Sequence, residues 1–180
     1  MGFMQCLTKM KNRDEWYTPA SAIYPFAKVI PQKITIWCPF DKPESEFVKV
    51  FTTGGQNVIC SHIEDGKDFF IYEPSVPYDA IISNPPYSKK DAVLERLFKI
   101  GKPWAMLMNI NGIFDSQKRF GLFREHGVQL FVVRGRIRFF GDENGKQAPP
   151  FQTIYVCWNL LPQTIMFEQD GDGLFSEVAE

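Results

Sequence analysis

The chain has 180 residues, a formal net charge of −1 at pH 7, 44% hydrophobic residues and 15% aromatic residues. This length favours one domain, and the apolar content excludes a disordered chain. The balanced charge excludes a global basic field, so nucleic-acid binding would need a local patch. The cysteines lie far apart without a CxxC pair, which argues against a structural zinc site and against a disulfide framework: Cys6, Cys38, Cys60 and Cys157.

The N-terminal segment does not resemble a targeting signal. In "MGFMQCLTKMKNRDEW" the apolar run is too short for a signal peptide, and the positive charges follow it instead of preceding it. The sequence also lacks an apolar stretch long enough to span a bilayer. We therefore expect a cytoplasmic protein that does not associate with membranes.

The first half of the chain predicts alternating strands and helices. Residues 33–38, "KITIWC", are β-rich and apolar and predict a central strand. Residues 44–55 predict an amphipathic helix that the pair Gly54-Gly55 ends. Two further strands are expected at 57–63 and at 78–83.

The second half continues the alternation and closes with two strands. A helix is expected at 88–100, with Ser88 as its N-cap and Gly101 at its end. A buried strand at 103–110 and a helix at 116–127 follow. The last strands are expected at 128–140 and 151–160, joined by the polar loop 141–150.

This order of elements predicts an α/β protein with a Rossmann-like, doubly wound, mostly parallel sheet. The closing strand pair is expected to be a C-terminal hairpin that adds one antiparallel strand. We expect a single domain over residues 1–162, without a separate target-recognition domain. Residues 163–180 are acidic and are expected to form a flexible tail.

The segment Asn84-Pro85-Pro86-Tyr87 is the main candidate for chemistry. It lies between an apolar strand and a helix, and open α/β sheets bind ligands beyond the carboxyl ends of their strands. The asparagine oxygen and a proline carbonyl can accept the two N–H groups of an exocyclic amine. The tyrosine ring can stack on a base. The residues therefore suit methyl transfer to an amine, although a rigid turn without function is the alternative.

Several segments together resemble the phage-encoded, Dam-like DNA N6-adenine methyltransferases, which belong to the S-adenosylmethionine-dependent amino-methyltransferases. The similarity extends over about residues 12–160. It rests on the following pieces: "DEWYTP", "TIWCPFDKPESEFVKVF", "ICSHIEDGKDFF", "YDAIISNPPYSKKDAVLERLFKIGKPWAML" and "RIRFF". The NPPY tetrapeptide is shared with methylases of RNA bases and of protein glutamine, so the motif alone does not select the substrate.

The resemblance implies a class I methyltransferase fold, S-adenosyl-L-methionine as cofactor and DNA as partner, with RNA possible. In this family pattern, Asn84 and the Pro85 carbonyl hold the target amine, Pro86 completes the rigid turn and Tyr87 stacks on the flipped base. No metal is expected. If the gene is phage-encoded, the location is the host cytoplasm.

The resemblance also implies a set of cofactor-binding residues, in which Asn84 takes part as well. Tyr17 and Thr18 match the segment that packs along the methionine part, and Asp68-Phe69 match the acidic-aromatic pair that receives the adenine. The remaining positions follow the first two strands: Pro39, Phe40, Asp41 and His62.

Two departures from the family pattern bear on cofactor binding. Cys38 stands at the usual acid position, and Lys42 and Glu44 replace glycines, so Asp41 is the candidate for the displaced carboxylate. His62 stands where an acid would bind the ribose hydroxyls. The structural alternatives are a small buried residue for Cys38, an internally satisfied ring for His62, and a turn residue for Asp68.

A local basic stripe is predicted in "VVRGRIRFF". Arg134, Arg136 and Arg138 recur at every second position, which would place them on one face of a strand. The stripe could bind phosphate, or it could be an exposed polar face with weak ion pairs.

We thus expect methyl transfer from S-adenosylmethionine to the N6 amine of adenine in DNA. Two alternatives remain: the same chemistry on RNA bases or protein glutamine, and a non-catalytic module that binds the cofactor or nucleic acid and has a degenerate first loop. The sequence does not determine the recognised DNA word or the oligomeric state.

Overall fold

A computed structural model describes residues 17–140, 146–147 and 151–169. Cys6, residues 12–16 of the family resemblance, most of the loop 141–150 and residues 170–180 lie outside the described residues. The helices are α1 (Ala20–Ala27), α2 (Glu46–Thr53), α3 (Lys90–Ile100) and α4 (Gln117–His126). The strands are β1 (Thr35–Cys38), β2 (Asn57–Cys60), β3 (Ala80–Ser83), β4 (Trp104–Asn109), β5 (Gln129–Val132), β6 (Phe139–Phe140), β7 (Lys146–Gln147), β8 (Thr153–Trp158) and β9 (Ile165–Phe167).

Seven of these strands form one sheet in the order β2-β1-β3-β4-β8-β5-β9. The first four run parallel to one another, and β8 runs antiparallel to both β4 and β5. The prediction of a mostly parallel sheet with an antiparallel strand from the C-terminal part is therefore confirmed.

The sheet buries apolar residues on both faces, as expected for a doubly wound fold. On one face, Phe26 of α1 and Phe51 of α2 pack with Tyr155 of β8. On the other face, α3 contributes Leu94 and Leu97 to a second cluster around Trp104. Alternating strand residues thus supply both layers, which is why the strands read as continuous apolar runs.

The helix boundaries follow local capping chemistry. The Ser45 hydroxyl accepts from the Val48 amide at 3.3 Å, which begins α2, and Gly101 ends α3 with φ of 72°. The predicted N-cap of α3 is wrong: a 3₁₀ turn at Tyr87–Lys89 precedes this helix, and Lys89 occupies the cap position. Within residues 17–140 and 151–169, no helix combines the length and apolarity needed to cross a membrane.

The predicted strand 128–140 is wrong beyond Val132. The chain leaves the sheet there, and Gly135 adopts φ of 69°, which interrupts an extended backbone. Phe139–Phe140 instead pair with Lys146–Gln147 in a separate two-stranded ribbon. Consequently Arg134, Arg136 and Arg138 are exposed but do not share one strand face.

Part of the expected flexible tail lies in the sheet. Ile165–Phe167 form β9, which pairs in parallel with β5. The Gln129 side chain anchors the preceding turn because its oxygen accepts from the amides of Leu160 and Leu161. The expectation for residues 163–180 is therefore corrected at residues 165–167.

Candidate active site

The candidate site lies at the carboxyl ends of β1, β2 and β3, which are adjacent in the sheet. Four buried polar side chains lie in the segments at or near these strand ends: Thr18, Asp41, Ser61 and Ser83. Buried polar groups are costly unless they find partners. Here Ser83 donates to Asp41 within the set, whereas Thr18 and Ser61 accept from Asn84 and Trp37 outside it.

The tetrapeptide Asn84-Pro85-Pro86-Tyr87 directly follows β3. The Asn84 amide nitrogen donates to the Thr18 hydroxyl at 3.2 Å. This bond joins two predicted site residues that are far apart in sequence. It also fixes the amide orientation, which leaves the oxygen as the end that can accept hydrogen bonds from a ligand.

Asp41 is the buried carboxylate of the site. Its carboxylate accepts from the Ser83 hydroxyl at 2.5 Å, and the side chain is 8% exposed. Burial raises the pKa of this carboxyl to about 6, although hydrogen bonds from Ser83 and Ser45 oppose the increase. Asp41 is therefore held beside the residue that precedes Asn84, and its charge is sensitive to pH.

The loop after β1 contains no glycine and is fixed by contacts with the segment after β2. Phe40 packs against Phe69 with ring centroids 4.9 Å apart. The Lys42 ammonium contacts the Glu64 carboxylate at 2.5 Å. These contacts bring the predicted residues Phe40 and Phe69 together.

Cys38 and its neighbour Pro39 are both buried. The Cys38 carbonyl accepts from the Ser61 amide at 3.1 Å, and burial raises the pKa of its thiol well above the ordinary value. The thiol therefore stays neutral. The residue fits the structural alternative of a small buried side chain at a strand end.

His62 begins the 3₁₀ turn Ile63–Asp65 that follows β2. Its Nδ1 accepts from the Glu64 amide at 3.3 Å, so the proton of the neutral ring is assigned to Nε2. The ring therefore satisfies a local backbone group, as the structural alternative expected. Nε2 is the atom that can donate to a ligand hydroxyl.

Asp68 has a structural role in the turn before the core residue Phe69. Its carboxylate accepts from the Phe70 amide at 3.0 Å, and its carbonyl accepts from the Tyr72 amide at 2.7 Å. Phe69 packs on Trp37 with centroids 5.6 Å apart. The turn interpretation of Asp68 thus describes its contacts.

Tyr87 lies between the protein interior and an open cavity of about 410 Å³. Its ring meets Phe151 edge-on with centroids 5.9 Å apart. Burial raises the pKa of the Tyr87 hydroxyl well above its usual range, so this group stays protonated. Of the tetrapeptide, Tyr87 lines this cavity, and Phe151 is connected to it only through its contact with Tyr87.

Tyr17 and the three arginines of the predicted basic stripe lie outside these contacts. Tyr17 is 65% exposed, unlike its buried neighbour Thr18. The Arg134 amide donates to the Glu168 carboxylate at 2.7 Å, which ties it to the β9 edge of the sheet. The described contacts do not join Arg134, Arg136 or Arg138 to the tetrapeptide.

Three residues of the site were missed by the sequence analysis. Ser83 was treated as a strand end, Phe151 as the start of a strand, and Lys90 only as part of the expected helix 88–100. Lys90 instead donates to the Asn109 side chain at 2.7 Å. Of the three, Ser83 carried a signal, because it ends an apolar strand at the edge where open α/β sheets bind ligands.

Across the described parts of the chain, no group of three or more His, Cys, Asp or Glu side chains is placed to hold a metal ion. The cysteines of this part are free thiols: Cys38, Cys60 and Cys157.

No protein-family model matches the chain, and no curated protein matches it significantly. Among solved structures, it is similar to a modification subunit assigned to a type I restriction enzyme from Vibrio vulnificus. The TM-score is 0.52 and the identity 11%, over 90% of this chain and 48% of that one. This chain therefore spans about half the length of that subunit.

Two further solved structures show weaker similarity. A precorrin-6y C5,15-methyltransferase from Geobacter metallireducens has a TM-score of 0.47 at 11% identity, over 82% of this chain and 94% of that chain. The 23S rRNA methyltransferase ErmE has a TM-score of 0.44 at 10% identity, over 77% of this chain and 66% of that chain. At such identities the likeness to the Vibrio vulnificus subunit establishes the shared fold alone.

Proposed function

We propose that this protein is an S-adenosylmethionine-dependent methyltransferase that modifies the N6 amine of adenine in DNA. One observation carries the proposal. Asn84-Pro85-Pro86-Tyr87 follows a central strand at the carboxyl edge of the sheet, with Asn84 oriented by Thr18 and with Tyr87 lining a cavity. A turn without function would require neither a fixed orientation of the Asn84 amide nor a cavity beside Tyr87.

The residues around this edge fit the proposed cofactor in their chemistry. S-adenosylmethionine supplies an electrophilic methyl group on a sulfonium sulfur. Asp41 is a buried carboxylate that suits a cationic group, and the half-buried Phe40, whose ring packs on the core residue Phe69, offers aromatic surface for an adenine. His62 can donate from Nε2 to a hydroxyl. Tyr17, Thr18, Pro39 and Asp68 complete the proposed cofactor set.

Asn84 and Pro85 are proposed to hold the acceptor amine. The Asn84 oxygen and the Pro85 carbonyl each accept one N–H, which orients the nitrogen and draws its lone pair out of conjugation. Proline fixes φ and lacks an amide hydrogen, so the turn presents its carbonyls rigidly. The chain then contributes mainly by positioning the amine in line with the methyl carbon.

Tyr87 and Phe151 are proposed to receive the target base after it leaves the stack. Stacking of a base on an aromatic ring contributes about 1–3 kcal/mol. The edge-on contact between the two rings keeps Tyr87 in place, and Pro86 limits the backbone that carries it. Arg134, Arg136 and Arg138 are exposed and are proposed as separate contacts to DNA phosphates.

The decisive experiment supplies purified protein with methyl-labelled cofactor and offers DNA, RNA and protein acceptors separately. We expect label in DNA as N6-methyladenine. Asn84→Ala should lower the rate on the order of 100- to 1,000-fold, which is typical when one positioned polar group at a reacting centre is removed. Asn57→Ala, at the exposed start of β2, is the matched control and should retain the wild-type rate.

Other outcomes would redirect the proposal. Label in RNA or in protein glutamine would replace DNA as the acceptor. Equal rates for wild type and a folded Asn84→Ala variant would refute the assigned role of the tetrapeptide. The absence of cofactor binding by calorimetry would favour the non-catalytic module that the glycine-free loop also allows.

A further inference from the structure

The cavity beside Tyr87 is lined by charged side chains that have no role in the proposed methyl transfer. Of the residues that line it, four are cationic and one is anionic: Lys89, Lys90, Lys118, Arg119 and Asp91. The protein as a whole has a net charge of −1. This cavity is therefore a local concentration of positive charge on a nearly neutral molecule.

The internal ion pairs leave two of these charges without a described carboxylate partner. Arg119 contacts Asp91 and also donates from Nε to the Ile113 carbonyl at 2.9 Å. Lys118 pairs with Glu95 at 2.7 Å. Asp91 is thus balanced by Arg119, and the excess positive charge comes from Lys89 and Lys90.

Lys90 is the more unusual of the two. Its ammonium donates to the neutral oxygens of Asn109 at 2.7 Å and Asn111 at 3.3 Å. Burial, together with the charge of Arg119, lowers its pKa, although the carboxylates of Asp91 and Asp115 oppose the decrease. An anion that enters the cavity would offset both effects, because it would pair with a cation that is already held in place.

Lys89 is exposed and lies over the Phe70 ring, with Nζ 5.3 Å from the centroid. Its stem is therefore directed along the protein surface beside the tetrapeptide. Two exposed rings flank the cavity cations Lys118 and Arg119 in sequence: Phe114 is 46% exposed and Phe120 is 52% exposed. Cations interspersed with exposed aromatic rings are typical of surfaces that follow a nucleic-acid strand.

We propose that this cavity binds a backbone phosphate of the DNA strand that carries the target adenine. The inference rests on the proposed function and extends it, because a phosphodiester selects a polynucleotide over a protein acceptor. Tyr87 lines the same cavity, so the phosphate bound here adjoins the nucleotide that stacks on its ring. A volume of about 410 Å³ accommodates a group of nucleotide size.

The test measures binding of full-length protein to a fluorescent DNA duplex over a range of KCl concentrations. For the double variant Lys89→Gln with Lys90→Gln, we expect the slope of log affinity against log salt to fall by about one for each phosphate that the protein no longer neutralises. The dissociation constant at fixed low salt should rise roughly three- to tenfold.

Two further variants make the result interpretable. Lys99→Gln removes a lysine from the exposed surface of the same helix outside the cavity and should match wild type in slope. Since Lys90 is partly buried, the exposed pair Lys89→Gln with Lys118→Gln supplies a variant with less risk of misfolding. Melting temperatures establish that each variant is folded.

Failure of the inference and failure of the proposed function give different results. Unchanged slopes in folded cavity variants, with wild-type protein still labelling DNA, would overturn the phosphate site alone. A lowered slope without labelling of DNA would support the site and refute the methylation assignment. A larger loss of affinity for RNA of the same sequence than for DNA would overturn the choice of DNA.

Discussion

At the scale of single residues, the site depends on polar side chains that hold one another. Thr18 orients Asn84 with one hydrogen bond, and Ser83 holds Asp41 with another. Each pair joins residues from distant parts of the sequence. The adjacency of Asn84, Pro85 and Tyr87 was readable from the sequence, but these partnerships were not, because a tertiary hydrogen bond leaves no local pattern.

The first residue-scale prediction concerns Thr18. Thr18→Val keeps the shape of the side chain but removes the acceptor of the Asn84 amide hydrogen. A net hydrogen bond contributes about 1 kcal/mol, so kcat for DNA methylation should fall about fivefold or more. Thr18→Ser retains the hydroxyl and should stay near wild type. A Thr18→Val variant with an unchanged kcat would contradict the orienting role.

The second residue-scale prediction concerns the pH dependence of stability through Asp41. Because burial raises the pKa of its carboxyl from an ordinary value of 3.8 to about 6, the folded state binds more protons than the unfolded state between these values. The free energy of unfolding therefore falls as pH rises through this window and levels off above it. The loss amounts to roughly 3 kcal/mol for this group.

Asp41→Asn removes the charge and retains an oxygen for the Ser83 hydroxyl. We expect the variant to be more stable than wild type above about pH 6, and to lose most of the slope that Asp41 contributes. Urea denaturation of both proteins at pH 4.5 and pH 8 measures the difference. A variant less stable than wild type at pH 8 would show that the ionised carboxylate stabilises the fold.

At the scale of elements, periodicity and capping predicted most of the parallel half. The strands that became β1–β4 were recognised from β-rich apolar runs, and α2 and α3 were closed by glycines as expected. α1 was missed because Pro25 lies inside an eight-residue helix and removes a typical helix signal. The strand after α4 was predicted to be too long because the alternation of apolar and polar residues continues past Gly135, where the backbone turns.

The element-scale prediction concerns the anchor of β9. The Gln129 side chain accepts from the Leu160 and Leu161 amides and donates to the Leu161 carbonyl at 2.7 Å. Gln129→Ala leaves these backbone groups without their partner. We expect the free energy of unfolding to drop by about 1–3 kcal/mol, measured by urea denaturation.

Gln117→Ala supplies the control for this prediction, because Gln117 is an exposed residue at the start of α4. It should change stability by less than about 0.5 kcal/mol. If the two substitutions had equal effects, the turn before β9 would be held by other contacts.

At the scale of the whole molecule, the fold was predictable from the sequence, but the ligand that it binds was not. The alternation of strands and helices in the sequence indicates an α/β sheet. The fold alone does not specify the activity. We expect binding of the proposed cofactor to depend on the loop after β1, which contains no glycine. A measurement of cofactor binding by the whole protein therefore tests the role of this loop.

The whole-molecule prediction is that S-adenosylmethionine stabilises the protein against heat. A ligand that binds only the folded state at 100 times its dissociation constant adds about 2.7 kcal/mol. For a chain of this size, the melting temperature should rise by roughly 5–10 °C. ATP, which carries adenosine without methionine, should give a much smaller shift. Equal shifts for the two ligands would mean that the methionine part is not recognised.

The position of β8 has a consequence for biosynthesis. This strand separates β4 from β5 in the sheet, yet it is formed by residues 153–158, near the end of the described chain. During translation, β5 therefore emerges before the neighbour that joins it to the rest of the sheet. In a ribosome-bound chain that stops short of residue 153, β4 has an unpaired edge and β5 lacks both of its sheet neighbours, β8 and β9, which makes this interval the most vulnerable to misassociation.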